Sequence, residues 1–190
     1  MKAKGPGQAA LLLLDVIGIL NKQSIPYAII GAFAASFHGV VRASVDADAL
    51  ISLESAQTEV KALAHKLRKA GLKATYRTGD SNDPIGGVLN VEDHFRNQVD
   101  LLMNIRGVTE AVFSRTVEAE FMGEQIRLIG VEDFIAMKIF AGSPKDLSDA
   151  IGALKVSSNQ INRALLRGLV RGYGKKALYK LESLLKKNAP

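Results

Sequence analysis

The order of apolar and polar residues predicts that the chain begins with a helix and a short strand. Residues 11–20 are nearly all apolar, and Pro26 ends this first helix because proline removes a backbone donor and fixes its own φ. Residues 27–30 form a short apolar strand that ends at Gly31. Small and aromatic residues over 32–38 predict a second helix, so the chain opens as helix, strand, glycine turn and helix.

In the middle of the chain, several segments have the apolar pattern that is typical of strands. Residues 45–52 predict a strand that carries Asp46 and Asp48 among apolar neighbours, and apolar residues at helical spacing predict an amphipathic helix over 56–70. Turn-forming residues separate the first two of three later strands. These strands cover residues 73–78, 87–91 and 98–103.

The last third changes from strand to helix. We expect a short helix over 108–116, a hairpin of residues 117–121 and 125–129, and helices from Val131 onward. Ser143 and Pro144 are typical of a helix start, since the hydroxyl caps free N–H groups and proline fits the first turn. Together the elements predict an α/β (α+β) fold. It consists of a mixed sheet flanked by helices over 1–130 and a helical C-terminal part over 131–190.

Asp46 and Asp48 are two residues apart in their predicted strand, so both carboxylates point to the same face. The alternate positions are expected to face the core: Val45, Ala47, Ala49 and Ile51. Like charges on a partly buried face repel each other, which favours either a raised pKa or a bound cation. An exposed strand edge whose acids only keep it soluble would carry the same pair.

A third acid, Asp100, lies alone within a later apolar strand, where a carboxylate is costly to bury without a partner. Three acids on two strands therefore favour one convergent site. Paired carboxylates that hold divalent ions are the usual arrangement for phosphoryl chemistry. Mg²⁺ suits such oxygen-rich sites because it keeps waters and substrate phosphates as ligands.

The residues before these acids suit an anion. Gly31 lies between a strand and a helix, where the chain can turn tightly and direct backbone N–H groups at a phosphate. Arg42 and Ser44 would add a guanidinium and a hydroxyl on the same side. His38 could contact a nucleotide, although a packing or capping histidine fits its mixed neighbours better.

The order of strand, glycine, small helix, Arg-x-Ser-x-Asp-x-Asp and a later apolar-Asp-apolar strand resembles the nucleotidyltransferase superfamily with the DNA-polymerase-β-like fold. More narrowly, it is similar to the small bacterial nucleotidyltransferases related to abortive-infection and toxin–antitoxin toxins. The matching segments are residues 30–51, 99–102, 131–138 and 145–149.

The resemblance implies a metal-dependent enzyme that moves a nucleoside monophosphate from a nucleoside triphosphate, such as ATP, to an acceptor hydroxyl. Asp46 and Asp48 would hold Mg²⁺ or Mn²⁺ against the phosphates. Asp100 would bind a second metal ion and help to deprotonate the acceptor. The implied nucleotide-binding residues are Gly31, Ala32, Arg42, Ser44 and Lys138.

The last matching segment adds three further candidates, Lys145, Asp146 and Asp149. Structural alternatives stay open here: Lys138 could extend its ammonium to the surface, and the two aspartates could merely favour the first turn of a helix. Ala32 departs from the usual Gly-Gly or Gly-Ser turn, so a serine hydroxyl is missing there while the backbone N–H remains.

The amino-acid composition excludes several other classes of protein and of functional site. The 190 residues include no cysteine and only three scattered histidines, which excludes disulfide scaffolds, thiolate zinc sites and cysteine nucleophiles. The same count argues against a histidine-built metal site. The P-loop, Rossmann and Gly-x-Ser-x-Gly fingerprints are absent.

The formal net charge of +6 is concentrated at the C-terminus. Residues 1–150 carry 16 Lys and Arg against 18 Asp and Glu, whereas 151–190 carry nine basic side chains and one acid, Glu182. Such a block is typical of a nucleic-acid partner, so we expect an RNA acceptor such as the 3′ end of a tRNA. A solvated helical surface would have the same composition. The second hypothesis is a catalytically silent module of this fold that binds nucleic acid or a protein partner.

Residues 9–20 resemble a secretory signal, but Asp15 and Gly18 interrupt the run and no small-x-small cleavage site follows. The run is also shorter than the roughly 20 apolar residues that span a bilayer. We therefore expect a cytoplasmic protein with no membrane partner. The toxin-like relatives add an antitoxin as a candidate partner.

Overall fold

The computed structural model describes residues 3–187 and contains seven strands and seven α-helices in that range. The strands are β1 (Tyr27–Ile29), β2 (Asp46–Ile51), β3 (Lys73–Thr78), β4 (Ile85–Glu92), β5 (Gln98–Ile105), β6 (Val117–Phe121) and β7 (Glu124–Leu128). The helices are α1 (Ala9–Lys22), α2 (Gly31–Phe37), α3 (Val60–Lys69), α4 (Val131–Ala141), α5 (Pro144–Val156), α6 (Arg163–Gly172) and α7 (Lys175–Lys187). A 3-10 helix, Glu110–Arg115, precedes β6.

All seven strands form one mixed sheet in the order β3-β4-β5-β2-β1-β7-β6. Strand β2 lies at the centre, antiparallel to β1 and parallel to β5. The predicted fold class, a mixed sheet flanked by helices with a helical C-terminal part, is confirmed. No helix in residues 3–187 has both the length and the apolar character needed to cross a membrane.

Two apolar clusters cover the two faces of the sheet. Helices α1 and α3 pack on one face, against buried positions such as Ala47 and Leu101. Helices α2 and α4–α7 pack on the other, against Ala28 and Leu50. Because the C-terminal helices share this second cluster with the sheet, a division of the chain near residue 130 stays a prediction.

Two local predictions were wrong. The helix expected over 56–70 begins only at Val60, because Gln57 takes a left-handed backbone conformation with φ of 50°. Val45, expected in the core, is 86% exposed because β2 begins one residue later. The short helix expected over 108–116 is present as the 3-10 helix Glu110–Arg115.

Other local predictions were confirmed. Met122 and Gly123, both with positive φ, form the turn of the β6–β7 hairpin. The hydroxyl of Ser143 caps α5 by accepting a hydrogen bond of 3.1 Å from the backbone N–H of Asp146. His38 is buried after α2, with Nε2 2.9 Å from the carbonyl oxygen of Ile129, as expected of a packing histidine.

Candidate active site

The three predicted acids lie together on the central strands. Asp46 and Asp48 alternate along β2 with the buried Ala47 and Ala49, so both carboxylates are on the same face of the sheet. In the parallel β2–β5 pair, Asp48 is the register partner of Asp100. The fold therefore brings acids 52 positions apart in sequence onto neighbouring strands, half-buried.

The ionised form of Asp48 is unfavourable in this arrangement. Burial, together with the negative charges of Asp46 and Asp100, raises the pKa of Asp48 to about 6 from 3.8. The cations Lys138 and Arg42 oppose this effect without cancelling it. A raised carboxyl pKa of this kind is typical of a functional site rather than of an exposed strand edge.

Gly31 lies directly against Asp48. It begins α2 with a φ of +64°, and a Cβ placed there would come within 2.9 Å of Cγ of Asp48. Ile30 joins the same strand through a backbone hydrogen bond of 2.9 Å to the carbonyl oxygen of Asp48. The predicted phosphate turn and the second acid therefore form one unit. Ala32, the next residue of the turn, is buried.

Asp46 and Asp100 each accept a hydrogen bond from a neutral side chain. The hydroxyl of Ser44 donates a hydrogen bond of 2.6 Å to Oδ1 of Asp46. The side-chain amide of Asn90, on β4, donates one of 2.7 Å to Oδ1 of Asp100. Sequence reasoning missed Asn90, although an asparagine within the apolar run of β4 was a usable signal.

The predicted cations belong to a second cluster, built around Asp149 of α5. Oδ2 of Asp149 accepts from Arg42 at 2.8 Å and from Lys138 of α4 at 2.9 Å, and its side chain is only 4% exposed. Lys138 also pairs with Asp146 at 2.8 Å. The ion pairs thereby connect the segment before β2 with α4 and α5.

Three polar residues in and around this cluster differ in how their charges are paired: Asp146, Arg42 and Lys145. Burial acts to raise the pKa of Asp146, but hydrogen bonds from Lys138 and Ser143 outweigh it, so this pKa is lowered. Nε of Arg42 is buried and has no hydrogen-bond partner among the described residues. Lys145 is exposed and stands outside the ion pairs of the cluster.

The carboxylates have the chemistry that suits a divalent cation. Within residues 3–187, no group of three or more His, Cys, Asp or Glu side chains is placed so that it could hold a metal ion. Mg²⁺ needs fewer protein ligands, because it usually takes one or two carboxylates and completes its shell with waters and substrate phosphates. Burial and the two neighbouring acids raise the pKa of Asp48, so a cation bound beside this carboxyl would favour its ionised form.

Solved structures share this fold. The solution structure of the antibiotic-resistance factor ANT(2'')-Ia matches with a TM-score of 0.56 and 16% identity, over 93% of this chain and 94% of its own. Its crystal structure with adenylyl-2''-tobramycin matches with a TM-score of 0.55 and 15% identity, over 85% and 94%. A nucleotidyltransferase-like protein from Paracoccidioides brasiliensis matches with a TM-score of 0.53 and 15% identity, over 93% and 87%.

The chain therefore has the nucleotidyltransferase fold, which confirms the fold that the resemblance in its sequence implied. No protein-family model matches it, and neither does any curated protein sequence. At this level of identity the likeness establishes the fold, and activity has to be argued from the residues of the site.

Proposed function

We propose that the chain is a nucleotidyltransferase that moves a nucleoside monophosphate from a nucleoside triphosphate to an acceptor hydroxyl. The observation that carries the proposal is the convergence of Asp46, Asp48 and Asp100 on one face of the sheet, against the Gly31 turn. The fold supports this reading, because ANT(2'')-Ia, an antibiotic-resistance factor with a similar fold, has been solved in complex with an adenylylated antibiotic, adenylyl-2''-tobramycin.

In the proposed reaction the acceptor oxygen attacks the α-phosphorus, the bond to the bridging oxygen breaks, and pyrophosphate leaves. Asp100 accepts the hydroxyl proton, since Asn90 occupies Oδ1 and leaves Oδ2 for the acceptor. Backbone N–H groups at the Gly31 turn, where α2 begins, are donors for phosphate oxygens. Most of the rate would come from positioning and from electrostatic stabilisation.

Asp46, Asp48 and Asp100 are the residues that would hold Mg²⁺ or Mn²⁺. A bound ion would neutralise phosphate charge as the pyrophosphate departs. Lys138 would act beside the acids rather than as a free phosphate ligand, because Asp146 and Asp149 already pair with it. Its positive charge nevertheless reaches Asp48 and favours the ionised form of that carboxyl.

RNA is the acceptor that we propose, with the 3′ end of a tRNA as the first candidate. Arg163 and Arg171 lie two turns apart on α6, and both are exposed. Tyr173, at the end of α6, stacks on Phe140 of α4 with ring centroids 4.6 Å apart. The basic helices are thereby attached to the helix that carries Lys138. The resemblance to toxin-like relatives extends the proposal to a cytoplasmic toxin restrained by an antitoxin.

A transfer assay tests the catalytic proposal. Each α-labelled nucleoside triphosphate is incubated with the protein, Mg²⁺ or Mn²⁺ and total tRNA. Asp46→Asn/Asp48→Asn should abolish transfer. Glu120→Gln, which removes one exposed acid from the edge strand β6, should leave it intact. Transfer that survives in the double variant contradicts the proposal. Nucleic-acid binding without any transfer would favour the silent module.

A second pair of variants tests the acceptor. Arg163→Glu/Arg171→Glu should weaken tRNA binding and reduce its dependence on salt, because fewer phosphate contacts release fewer counterions. Lys61→Glu/Lys69→Glu places the same charge change at the same spacing on α3, on the opposite face of the sheet. Equal losses in the two double variants would contradict a specific role of α6.

A further inference from the structure

A pocket of about 330 Å³ lies among the C-terminal helices, and none of its lining residues belongs to the candidate active site. The end of α5, the connection to α6 and the end of α7 form its walls. The charged residues that line it within the described part of the chain, Lys155 and Arg163, are both basic. Its apolar lining is aliphatic and consists of Leu154, Ile161 and Leu185. The pocket therefore suits an apolar side chain that has an acidic neighbour.

The β6–β7 hairpin, at one edge of the sheet, carries such groups. Residues 117–128 include three acids and one base. Met122 lies in the turn and is 51% exposed, and a Cβ on Gly123 would meet no described heavy atom beyond its chain neighbours within 4 Å, so the tip projects from the sheet. Glu124 follows in the next position and is also exposed. The tip thus presents an apolar side chain and an acid within three residues.

We propose that the pocket receives the tip of the β6–β7 hairpin of a second copy of this chain. Within one copy, no described hairpin residue lines the pocket. In the proposed contact, Met122 of one copy enters between the aliphatic walls of the other, and Glu124 lies at the rim beside Lys155. Methionine suits such a pocket because its unbranched, flexible side chain fills irregular apolar gaps. The inference goes beyond the proposed function and uses none of its three acids.

The lining of the pocket favours a protein segment over RNA as the occupant. RNA phosphates would find Lys155 and Arg163, but a base would find no aromatic ring on which to stack among the described residues of the lining. The hairpin uses both properties of the pocket, because Met122 matches the aliphatic walls and Glu124 matches the basic rim. The contact joins two different surfaces, so it either closes as a two-fold pair or continues head to tail.

Sedimentation of the full chain tests the proposal, without nucleic acid because Arg163 also belongs to the proposed RNA surface. We expect the wild type to associate as its concentration rises, and to associate less at high salt. Glu124→Lys and Lys155→Glu should each weaken association about tenfold or more, and an equal mixture of the two should restore it, because the reversed charges attract each other again. A wild type that stays monomeric from micromolar to millimolar concentration overturns the proposal.

Two matched controls place the same charge changes near the start of α3, on the opposite face of the sheet from the C-terminal helices. Glu59→Lys and Lys61→Glu alter exposed residues and should associate as the wild type does. Losses as large as those of the hairpin and pocket variants would overturn the proposal. A single-stranded RNA octamer tests the other occupant. If Lys155→Glu loses octamer binding while the wild type alone stays monomeric, the pocket is an RNA site and the proposal is overturned.

The absence of cysteine from the chain allows the contact itself to be located. Met122→Cys is mixed with Ser158→Cys, which places a thiol at an exposed position of the pocket lining, in a buffer of reduced and oxidised glutathione. A disulfide between these two copies should form faster than one between Met122→Cys and Ala62→Cys, whose thiol lies at an exposed position of α3. Equal rates would overturn the proposal even if the chain associates, because another surface would then join the copies.

Discussion

Gly31 and Asp48 are in direct contact, so that the turn proposed to hold phosphate has room only for a residue without a side chain. Gly31 also has a φ of +64°, which an L side chain rarely adopts. The carboxylate of Asp48 fills the space that a Cβ would take. Substitution at Gly31 would therefore disturb the phosphate turn and the central acid together.

Gly31→Ala should lose metal-dependent nucleotide binding and also lose stability. The left-handed backbone alone costs about 1–3 kcal/mol for a residue other than glycine, and the collision with Asp48 adds to it. Gly71→Ala is the control, since Gly71 has a φ of +84° and a Cβ at this position would meet no heavy atom within 4 Å. Denaturant unfolding and calorimetry should show both variants destabilised and nucleotide binding lost only in Gly31→Ala. Equal binding by the two variants would contradict the proposed turn.

Asp48→Asn should stabilise the metal-free protein at pH 8 while abolishing activity. In the folded protein Asp48 has a pKa of about 6, above its unfolded value of 3.8, so wild-type stability falls as the pH rises between these values. The shift corresponds to at most about 3 kcal/mol of stability that the wild type loses as Asp48 ionises. The variant has a neutral amide at this position and does not undergo this loss above pH 6. Unfolding curves at pH 4 and pH 8 measure the difference, which should appear only at the higher pH. A less stable variant at pH 8 would contradict the strain assigned to Asp48.

Much of the fold was predictable because its signals are local. Apolar periodicity identified the strand that carries Asp46 and Asp48, and two alternating segments indicated the hairpin of β6 and β7. The failures were local too: Val45 continues the alternation of β2 in sequence, but the strand begins after it, and Gln57 leaves the helical region although its neighbours suit a helix.

The arrangement of the site was less predictable, because sheet order and helix packing determine it. Arg42 was expected to face a triphosphate, yet its guanidinium pairs with Asp149, which is 107 positions away in sequence. The hydrogen bond from Asn90 to Asp100 likewise depends on the register of the β4–β5 hairpin. No spacing rule within one segment reports such contacts. The roles assigned to these residues remain predictions.

Asn90→Ala should lower kcat with little change in the KM for the nucleotide. The 2.7 Å hydrogen bond to Oδ1 fixes Asp100, and a bond to a charged group contributes about 1.5–3 kcal/mol, so a loss of about tenfold or more is expected. Asn90→Asp should shift the acidic limb of the pH–rate profile to higher pH, because a second carboxylate would face Asp100. If the role of Asn90 were purely structural, the substitutions would lower stability and leave the acidic limb of the pH–rate profile at the same pH.

Asp149→Asn should destabilise the protein more than Asp146→Asn does. The Asp149 carboxylate is only 4% exposed and pairs with two cations, whereas that of Asp146 is 22% exposed and pairs with one. Removing the shared counter-charge deprives Arg42 of its carboxylate partner and leaves Lys138 paired with Asp146 alone. We expect a loss of about 2–4 kcal/mol for Asp149→Asn against about 1 kcal/mol for Asp146→Asn. Denaturant unfolding of both variants measures the difference, and high salt should narrow it by screening the two cations. Equal losses would show that Asp149 is not the centre of the ion-pair cluster.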